Sequence, residues 1–322
     1  MNRRPLLVLV GPTATGKTEV AVELAKRLDG EVVTADSMQV YRYMDIGTAK
    51  PTWEERRGIP HHLVDVVDPD EPFNVAIYQE LALRAVREVA ARGRLPVVAG
   101  GTGLYIRAVT DPYSFAGTPG DPVLRRQLEA EAGAAGNEAL HRRLAAVDPV
   151  AAGRLHPNDR RRVVRALEVY LLTGRPLHEH LGADGGRTRP FVPFLFGLTM
   201  DRALAYRRIE ERVEDMLARG LLAEVAGLLE RGYGRQLTAM QGLGYKELAA
   251  YLAGETGYDQ AVDLIKQGTR RLAKRQWTWF GRDPRIRWFP SDTAGKRALA
   301  VEEIVGRMAG VPVSGVEEKD GY

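Results

Sequence analysis

A glycine-rich stretch at residues 11–18 constrains the fold of this chain more than any other feature. It matches the pattern G-x-x-x-x-G-K-S/T at every fixed position. In full, the stretch reads Gly11, Pro12, Thr13, Ala14, Thr15, Gly16, Lys17 and Thr18. Residues 6–10 are all apolar, as in a strand buried on both faces of a parallel sheet, and apolar residues recur at helical spacing after residue 18. Strand, turn and helix in this order predict a phosphate-binding loop, or P-loop, rather than a chance match.

The chemistry expected of such a loop comes from its backbone and from two side chains. Backbone N–H groups and the N-terminus of a helix attract an anion. Lys17 adds a positive charge, and the hydroxyl of Thr18 can hold a Mg²⁺ that bridges two phosphates. The loop therefore predicts a diphosphate or nucleotide site with Mg²⁺ as its cofactor, and whether ATP itself binds stays open.

Composition narrows the class of protein. Of the 322 residues, 44% are hydrophobic and 27% are charged, which is ordinary for a globular protein. No run approaches the roughly 20 apolar residues that cross a bilayer, and the N-terminus leads straight into the first strand without room for a signal peptide. The absence of cysteine excludes disulfides, thiolate zinc sites and a cysteine nucleophile. We therefore expect a cytoplasmic protein that does not contact a membrane.

Two further strands are predicted, and distinctive residues follow each. Residues 31–35 end at Asp36, which is expected beside the P-loop because ligands bind at the carboxyl ends of strands in open α/β sheets. Residues 95–99 lead into a turn that reads Gly100, Gly101, Thr102 and Gly103. A nucleotide hydrolase often carries an aspartate after this strand to anchor Mg²⁺. The glycines and threonine here count against an ordinary ATPase or GTPase.

The character of the chain changes near residue 112. Prolines and glycines are frequent up to residue 122, and helical segments rich in alanine and arginine follow, with Asn137 and Asp159 as predicted caps. Asn74 and Asp201 are predicted caps of helices on either side, and Gly93 is a predicted C-terminal glycine. We predict a P-loop α/β core, a parallel sheet flanked by helices, at 1–111 and 191–310, with a return strand at residues 191–198 and helices after it. An all-helical domain is inserted at 112–190, and a disordered tail follows at 311–322.

Positive charge concentrates in two segments. Residues 154–189 contain eight arginines and four acidic residues, so this segment alone carries +4, which equals the net charge of the whole chain. In a helix predicted from about residue 259 to 280, Lys266, Arg270 and Lys274 recur every four residues. The ordinary explanation of such a stripe is a solvated face, and a bound polyanion is the alternative.

Further motifs in the same order resemble the bacterial tRNA dimethylallyltransferases, also called tRNA isopentenyltransferases or the IPP transferase family. The resemblance covers about residues 6–289. Besides the P-loop, it rests on residues 36–41 (DSMQVY), 45–51 (DIGTAKP), 60–63 (PHHL), 100–105 (GGTGLY), 156–159 (HPND), 165–168 (RALE), 242–247 (GLGYKE), 274–276 (KRQ) and 278–280 (TWF). It implies transfer of a dimethylallyl group from its diphosphate to the exocyclic N6 amine of the adenosine 3′-adjacent to the anticodon in tRNA, with release of diphosphate.

The resemblance also implies roles for individual residues. Asp36 would accept the proton of the attacking amine, and a place in the Mg²⁺ shell is its alternative role. Thr102 would hydrogen-bond near the incoming base, and Arg212 would reach the diphosphate. His61 and His62 are interpreted as structural.

A larger set of residues is expected to contact tRNA. It comprises Asp36, Ser37, Met38, Gln39, Arg161, Arg162, Val163, Val164, Arg165, Gln241, Gly242, Leu243, Gly244, Tyr245, Lys246, Lys274, Arg275, Gln276, Trp277, Thr278, Trp279, Phe280 and Gly281. Similar sequences often carry arginine directly after the aromatic pair, whereas this chain has Gly281 and then Arg282, so the role of Arg282 stays open. The expected partners are the anticodon stem-loop of tRNA and dimethylallyl diphosphate, and we expect a monomer.

Other functions remain as alternatives. A kinase-like phosphotransferase for small molecules would share the P-loop and the sheet. A non-catalytic RNA-binding module would leave the complete P-loop without a purpose. A prenyltransferase for free adenine nucleotides is a closer variant, and the size of the basic insertion argues against it.

Overall fold

A computed structural model of the chain describes residues 3–112, 120–180 and 191–312. The chain divides into two compact units, one formed by Met1–Thr110 with Arg189–Tyr322 and the other by Asp111–Thr188. The second unit therefore interrupts the first in sequence, where the sequence predicts an insertion at 112–190. The predicted tail at 311–322 lies outside the described residues except for its first two positions.

Six strands of the described residues form one parallel sheet in the first unit. They are β1 (Arg4–Val10), β2 (Gly30–Thr34), β3 (His61–His62), β4 (Leu95–Gly100), β5 (Phe191–Thr199) and β6 (Arg287–Pro290). Their order across the sheet is β3-β2-β4-β1-β5-β6. Residues 6–10 of β1 are fully buried, as a continuous apolar run predicts for a central parallel strand. The sequence predicted β1, β2, β4 and β5, and it missed the short strands β3 and β6 at the two edges.

Helices account for most of the remaining structure. In chain order they are α1 (Lys17–Arg27), α2 (Trp53–Arg56), α3 (Val75–Ala91), α4 (Gly103–Thr110), α5 (Pro122–Ala135), α6 (Asn137–Val147), α7 (Pro149–Ala152), α8 (Arg160–Thr173), α9 (Leu177–His180), α10 (Arg202–Ala218), α11 (Leu221–Glu230), α12 (Tyr245–Leu252), α13 (Tyr258–Phe280) and α14 (Ala294–Met308). The described elements of the second unit, α5–α9, are all helices. Within the described ranges, none of the helices has the length and apolar character that would let it cross a membrane.

Two of the predicted helix caps are observed. The side chain of Asn74 accepts hydrogen bonds from the first-turn N–H groups of α3, and Gly93 just after α3 has a φ of 76°, which favours glycine. Asp201 accepts a hydrogen bond from Leu204 N at the start of α10. These caps depend on residues close in sequence, so a local pattern predicts them well.

Of the other two predicted caps, Asn137 is wrong and Asp159 is confirmed in position only. Asn137 is the first residue of α6, and Gly136 occupies the capping position. Asp159 does stand at the capping position of α8, but it makes no capping hydrogen bond. Its carboxylate lies 3.2 Å from the guanidinium of Arg162 instead.

The sheet order places the functional crevice. β1 lies between β4 on one side and β5 on the other, and its chain continues into the P-loop. At this point the order in which strands are added across the sheet reverses. In open parallel sheets, ligands bind at such a point, outside the carboxyl ends of the strands. Asp36 follows β2 and Gly101 follows β4, so both lie at the same edge of the sheet as the P-loop.

Glu31 of β2 is a buried carboxylate near the opposite end of the strand, with only 4% of its side chain exposed. It accepts a hydrogen bond from Arg92 Nη2 at 2.6 Å and lies 2.6 Å from His62 Nε2 of β3. Burial acts to raise the pKa of Glu31, but the hydrogen bonds from Arg92 and His62 outweigh it and hold the pKa below its usual value. These contacts give His62 a structural role at the edge of the sheet.

Replacing Glu31 with glutamine should lower the free energy of unfolding near pH 7 by about 2 kcal/mol, because Arg92 and His62 lose their charged partner. A carboxylate with a lowered pKa stabilises the fold above its unfolded pKa of about 4.3 and loses that contribution as the pH falls through its folded pKa. The difference between wild type and Glu31→Gln in urea denaturation should therefore shrink from about pH 7 to about pH 3.

The matched control is Glu302→Gln, which removes the exposed partner of Arg27 on the surface and should change stability little. A Glu31→Gln protein as stable as the Glu302→Gln protein at neutral pH would contradict a stabilising role for this buried carboxylate.

Candidate active site

The P-loop connects β1 to α1 and requires glycine at both of its ends. Gly11 has a φ of 153°, and a Cβ there would lie 2.6 Å from the carbonyl oxygen of Leu198. Gly16 precedes α1 in the left-handed region, with a φ of 83°. The hydroxyl of Thr15 donates to Pro12 O at 2.8 Å and braces the turn. The loop thus brings backbone N–H groups and the N-terminus of α1 to the carboxyl end of the central strand.

Three charged residues from separate elements come together at this loop. Lys17 Nζ donates to Pro12 O at 2.6 Å. Burial, together with the positive charge of Arg212, lowers the pKa of Lys17 to about 7, and the negative charge of Asp36 partly opposes this shift. Burial likewise lowers the pKa of Arg212, and the negative charge of Asp36 counteracts that shift. The structure therefore brings Lys17 of α1, Asp36 after β2 and Arg212 of α10 within electrostatic reach of one another.

Arg212 lacks a partner in the described part of the chain: no hydrogen bond or ion pair satisfies its guanidinium there. A cation withdrawn from water without a partner is costly. Together with Lys17, it places two half-buried positive charges at the P-loop, and no ion pair within the described residues neutralises either of them. The arrangement fits a ligand that carries several negative charges, as a diphosphate does.

Asp36 and Thr102 are linked through Ser37. The carboxylate oxygen Oδ1 of Asp36 accepts a hydrogen bond from Met38 N at 2.8 Å, and this bond fixes the turn after β2. Thr102 Oγ1 accepts a hydrogen bond from Ser37 N at 3.1 Å. The other carboxylate oxygen of Asp36, Oδ2, makes no hydrogen bond to the described residues and is available to a substrate.

Two stacked tyrosines stand within electrostatic reach of Asp36: burial raises the pKa of each, and the negative charge of Asp36 adds to both shifts. The rings of Tyr78 and Tyr105 lie 3.8 Å apart between centroids. The hydroxyl of Tyr78 is buried and has no hydrogen-bond partner among the described residues. Sequence reasoning missed Tyr78, because one tyrosine on the buried face of a predicted helix has no pattern that separates it from an ordinary core residue.

The motif at residues 45–51 is a scaffold for the loop that follows Asp36. Gln39 Nε2 donates to the carbonyl oxygens of Thr48 and Ala49 at 3.2 and 3.1 Å. Lys50 is buried, with 4% of its side chain exposed, and its ammonium lies 2.7 Å from Asp45 Oδ1 and 2.5 Å from Asp65 Oδ1. These contacts hold an irregular segment in one conformation beside the site.

Glu224 of α11 attaches the same scaffold to α12. Its carboxylate accepts hydrogen bonds from the backbone N–H groups of Asp45, Ile46 and Gly47 at 2.9, 2.8 and 3.1 Å. The hydroxyl of Tyr245 donates to the same carboxylate at 2.6 Å. A Cβ at Gly47 would lie 2.5 Å from the Tyr245 ring, so glycine is required there. Tyr245, expected at the RNA surface, is therefore buried and supports the loop instead.

Gln276 of α13 reaches the P-loop. Its Oε1 accepts a hydrogen bond from Thr13 N at 2.8 Å, and its Nε2 donates to Gly101 O at 3.0 Å. One side-chain amide thus joins the P-loop to the turn after β4. Trp279, one turn further along α13, contacts Gly103 of the same turn and remains partly exposed. Gln276 was expected to contact RNA, and this bridge was not foreseen.

The basic stripe on α13 divides into two halves. Lys266 and Arg270 form ion pairs with Glu214 and Glu210 of α10, so the first half of the stripe is structural. The next three cations, Arg271, Lys274 and Arg275, are exposed and have no ion-pair partner among the described residues. The second half is therefore the part that can contact an anion.

The predicted RNA-binding segment of α8 divides in a similar way. Val163 and Val164 are 0% and 1% exposed in the core of the helical unit, so their side chains do not reach the surface. Arg165 pairs with the fully buried carboxylate of Glu168 at 2.7 Å. Burial acts to raise the pKa of Glu168, but hydrogen bonds from Arg165 and Arg125 lower it overall. Arg161 and Arg162 are exposed, and they are the side chains of this segment that can contact RNA, although Arg162 also pairs with Asp159 at 3.2 Å.

A cavity of about 710 Å³ lies between α12 and α13. Its lining residues are Arg235, Gln236, Gln241, Leu243, Lys246, Glu247, Ala250, Leu264, Gln267, Gly268 and Arg271. Gln241 and Lys246, the exposed residues of the predicted RNA-binding segment 241–246, thus line the same cavity as Arg271 of the second half of the stripe. Gly242 and Gly244 are buried beneath this surface, as is Phe280 at the end of α13, and Arg282 just beyond α13 is exposed.

The residues around the P-loop fit Mg²⁺. The hydroxyl of Thr18 is exposed at the first turn of α1 and makes no hydrogen bond to the described residues, and Asp36 Oδ2 is likewise available. The described ranges hold no group of three or more histidines, cysteines or carboxylates placed to bind a metal. Mg²⁺ is commonly held by one or two protein oxygens together with water and substrate phosphate, and this donor set is of that kind.

Comparison with known proteins places these features in a family. The model of a family described as IPP transferase matches residues 39–283, and one described as isopentenyl transferase matches residues 5–65. A curated relative, the tRNA dimethylallyltransferase of Desulforudis audaxviator, is 54% identical over 304 residues. The alignment covers 94% of this chain and 97% of the relative.

Solved structures agree with the sequence comparison. The full-length tRNA isopentenylpyrophosphate transferase of Bacillus halodurans superposes with a TM-score of 0.71 at 44% identity, covering 95% of this chain and 97% of that one. A eukaryotic dimethylallyltransferase described as acting on tRNA gives a TM-score of 0.77 at 28% identity, covering 94% of this chain and 80% of that one.

Lys17 and Arg212 should both be needed to bind a diphosphate. Replacing either with alanine removes one charged contact and should weaken binding of magnesium pyrophosphate about 10- to 100-fold, because a hydrogen bond to a charged group is worth about 1.5–3 kcal/mol. Isothermal titration calorimetry near pH 7 measures the dissociation constant.

Lys26→Ala serves as the matched control, since Lys26 is an exposed lysine in the last turn of the same helix. It should bind pyrophosphate like the wild type. If Lys17→Ala bound as tightly as Lys26→Ala, the P-loop would not be the anion site.

Proposed function

Because this chain belongs to the IPP transferase family, we propose that it transfers a prenyl group to tRNA. Dimethylallyl diphosphate is the donor, and the exocyclic N6 amine of the adenosine 3′-adjacent to the anticodon is the acceptor. Diphosphate is the product released. The observation that carries this proposal is the meeting of Lys17, Arg212 and Asp36 at the P-loop, which joins an anion site to a carboxylate with one free oxygen.

The P-loop serves the leaving group in this reaction. As the bond between C1 of the dimethylallyl group and the diphosphate oxygen breaks, the electron pair and the negative charge pass to the diphosphate. Backbone N–H groups of the loop, Lys17 and Arg212 are placed to stabilise that charge. A Mg²⁺ held at Thr18 would supply further neutralisation of the phosphate oxygens.

Asp36 serves the nucleophile. The lone pair of the adenine N6 amine is delocalised into the ring, so a base that accepts its proton during attack assists the reaction. The N6 nitrogen forms the new bond to C1, and its proton passes to Asp36 Oδ2, the oxygen that the loop leaves free. Thr102, whose Oγ1 accepts a hydrogen bond from Ser37 N, hydrogen-bonds the incoming adenine in this proposal.

The target adenosine has to leave its stack to reach this site, at a cost of a few kcal/mol. Contacts elsewhere on the tRNA offset that cost. In the first unit they come from the second half of the α13 stripe, which is Arg271, Lys274 and Arg275, and from the cavity between α12 and α13. In the helical unit they come from Arg161 and Arg162. A tRNA substrate also implies action in the cytoplasm, and we expect the enzyme to act as a monomer.

No observation on the described residues favours a small-molecule kinase or a prenyltransferase for free nucleotides. A non-catalytic RNA-binding module would have no use for an unpaired Arg212 beside a complete P-loop.

The direct test of this function uses isotopically labelled dimethylallyl diphosphate and total tRNA, and it measures label in tRNA under single-turnover conditions. The wild-type protein should transfer the label. Asp36→Asn preserves the oxygen that accepts from Met38 N but cannot take a proton. The single-turnover rate should therefore fall about 10²- to 10⁴-fold while both substrates bind nearly as before.

Other roles for Asp36 have different signatures. If it orders Mg²⁺, the loss should appear in diphosphate affinity and recover partly at high Mg²⁺, and if it positions the adenine, tRNA affinity should fall as well. Asp70→Asn, at an exposed aspartate of the same unit, is the control and should leave the rate unchanged. A near-normal rate for saturated Asp36→Asn would exclude Asp36 as the base.

The basic surface of α8 should contribute to tRNA affinity through its exposed arginines. Arg161→Gln combined with Arg162→Gln should weaken tRNA binding and reduce the slope of log K against log salt by about 1 to 2, because each lost phosphate contact releases one counterion fewer. Binding of pyrophosphate should not change. Arg165 is left intact because its loss would unpair the buried Glu168.

The control removes two exposed arginines from α3, as Arg84→Gln with Arg87→Gln, and thus the same charge from a helix outside the predicted RNA surface. Equal salt slopes for the two double variants would show that net charge, rather than the α8 surface, governs binding.

A further inference from the structure

The bridge made by Gln276 uses a backbone donor of the P-loop itself. Thr13 N–H is one of the groups that a P-loop ordinarily offers to phosphates, and here it donates to Gln276 Oε1 at 2.8 Å. The preceding residue, Pro12, has no N–H to offer. The first half of the loop is therefore poor in free donors, whereas the second half, at the start of α1, keeps its own.

Each end of the Gln276 amide already has one partner within the protein in this arrangement. Its Oε1 receives Thr13 N–H, and its Nε2 donates to Gly101 O at 3.0 Å. The two partners, one a donor and the other an acceptor, determine which end of the amide faces each. Gly101 allows this approach because a Cβ there would collide with Nε2.

The position of the bridge matters as much as its bonds. A phosphate at the N-terminus of α1 meets the second half of the loop and Lys17, whereas the bridge joins the first half to Gly101. Thr102 follows Gly101 and hydrogen-bonds Ser37 N, beside Asp36. Asp36 and Thr102 are the residues proposed to contact the acceptor adenine, and we call this the acceptor side of the site. A phosphate chain that extended beyond two groups toward the acceptor side would meet the side chain of Gln276 where a P-loop otherwise offers amides.

We propose that Gln276 is a specificity-determining residue that limits this P-loop to diphosphates and excludes nucleoside triphosphates. The inference rests on the proposed function, since it concerns the same anion site. The bridge occupies the Thr13 donor, so a third phosphate can use that backbone N–H only by displacing the side chain of Gln276 from both of its partners. The dimethylallyl group of the donor is apolar and needs no hydrogen bond at that place, so the bridge does not weaken binding of the donor.

The test compares two probes that differ in the number of phosphates and carry no base, inorganic pyrophosphate and inorganic tripolyphosphate, each with Mg²⁺. Calorimetry gives the ratio of their dissociation constants. The wild-type protein should prefer pyrophosphate. Gln276→Ala removes the bridge and should reduce that preference at least about tenfold, mainly through tighter binding of tripolyphosphate.

A second variant reaches the same state by another route. Gly101→Ala leaves Gln276 unchanged but places a methyl group against its Nε2, which is the end of a flexible side chain and can move away. The matched control is Gln260→Ala, which removes an exposed glutamine near the start of the same helix. Both bridge variants should lose preference for pyrophosphate, and the control should keep the wild-type ratio.

The outcomes separate this inference from the function on which it rests. A wild-type protein that bound neither probe would overturn the assignment of the P-loop as a diphosphate site, and the role of Gln276 with it. If the wild type bound pyrophosphate and both bridge variants kept its ratio, only the role of Gln276 would be wrong. A merely structural role would weaken both probes equally and would also leave the ratio unchanged.

Discussion

The rest of the active site depends on positive charge that the protein does not neutralise. Lys17 and Arg212 are half-buried near Asp36, and burial lowers the pKa of both. Their mutual repulsion destabilises the ligand-free fold. Attraction between these cations and a bound polyanion offsets that repulsion. In the reaction that we propose, the same charge binds the diphosphate and stabilises it as a leaving group, so binding and catalysis depend on one electrostatic interaction.

Around that charge, irregular loops are held by side chains that bond to backbone. Glu224 accepts three consecutive backbone N–H groups, Lys50 joins two carboxylates, and Gln276 connects two turns that are far apart in sequence. These segments lack a helix or strand to satisfy their backbone polar groups, so side chains from other elements satisfy them. The result is a rigid frame for Asp36 and Thr102 built without regular structure.

The surfaces available to RNA are smaller than the basic patterns suggest. Carboxylates on neighbouring elements neutralise Lys266, Arg270 and Arg165, which therefore stabilise the fold. The cations left exposed, among them Arg161, Arg271 and Lys274, can exchange counterions for phosphates. Ion pairs within the fold thus explain the first half of the stripe on α13, and a bound polyanion stays a prediction for the second half.

The sequence by itself determined the P-loop, the buried central strands, the caps at Asn74 and Asp201 and the family, because each depends on residues that are neighbours along the chain. Tertiary structure decided which cations are free, that Val163, Val164 and Tyr245 are buried, and that Gln276 meets Thr13 across 263 residues. It also added the edge strands β3 and β6, which are too short to show a periodic pattern. Contacts between distant elements depend on how helices and strands pack, and no local spacing of residues records that packing.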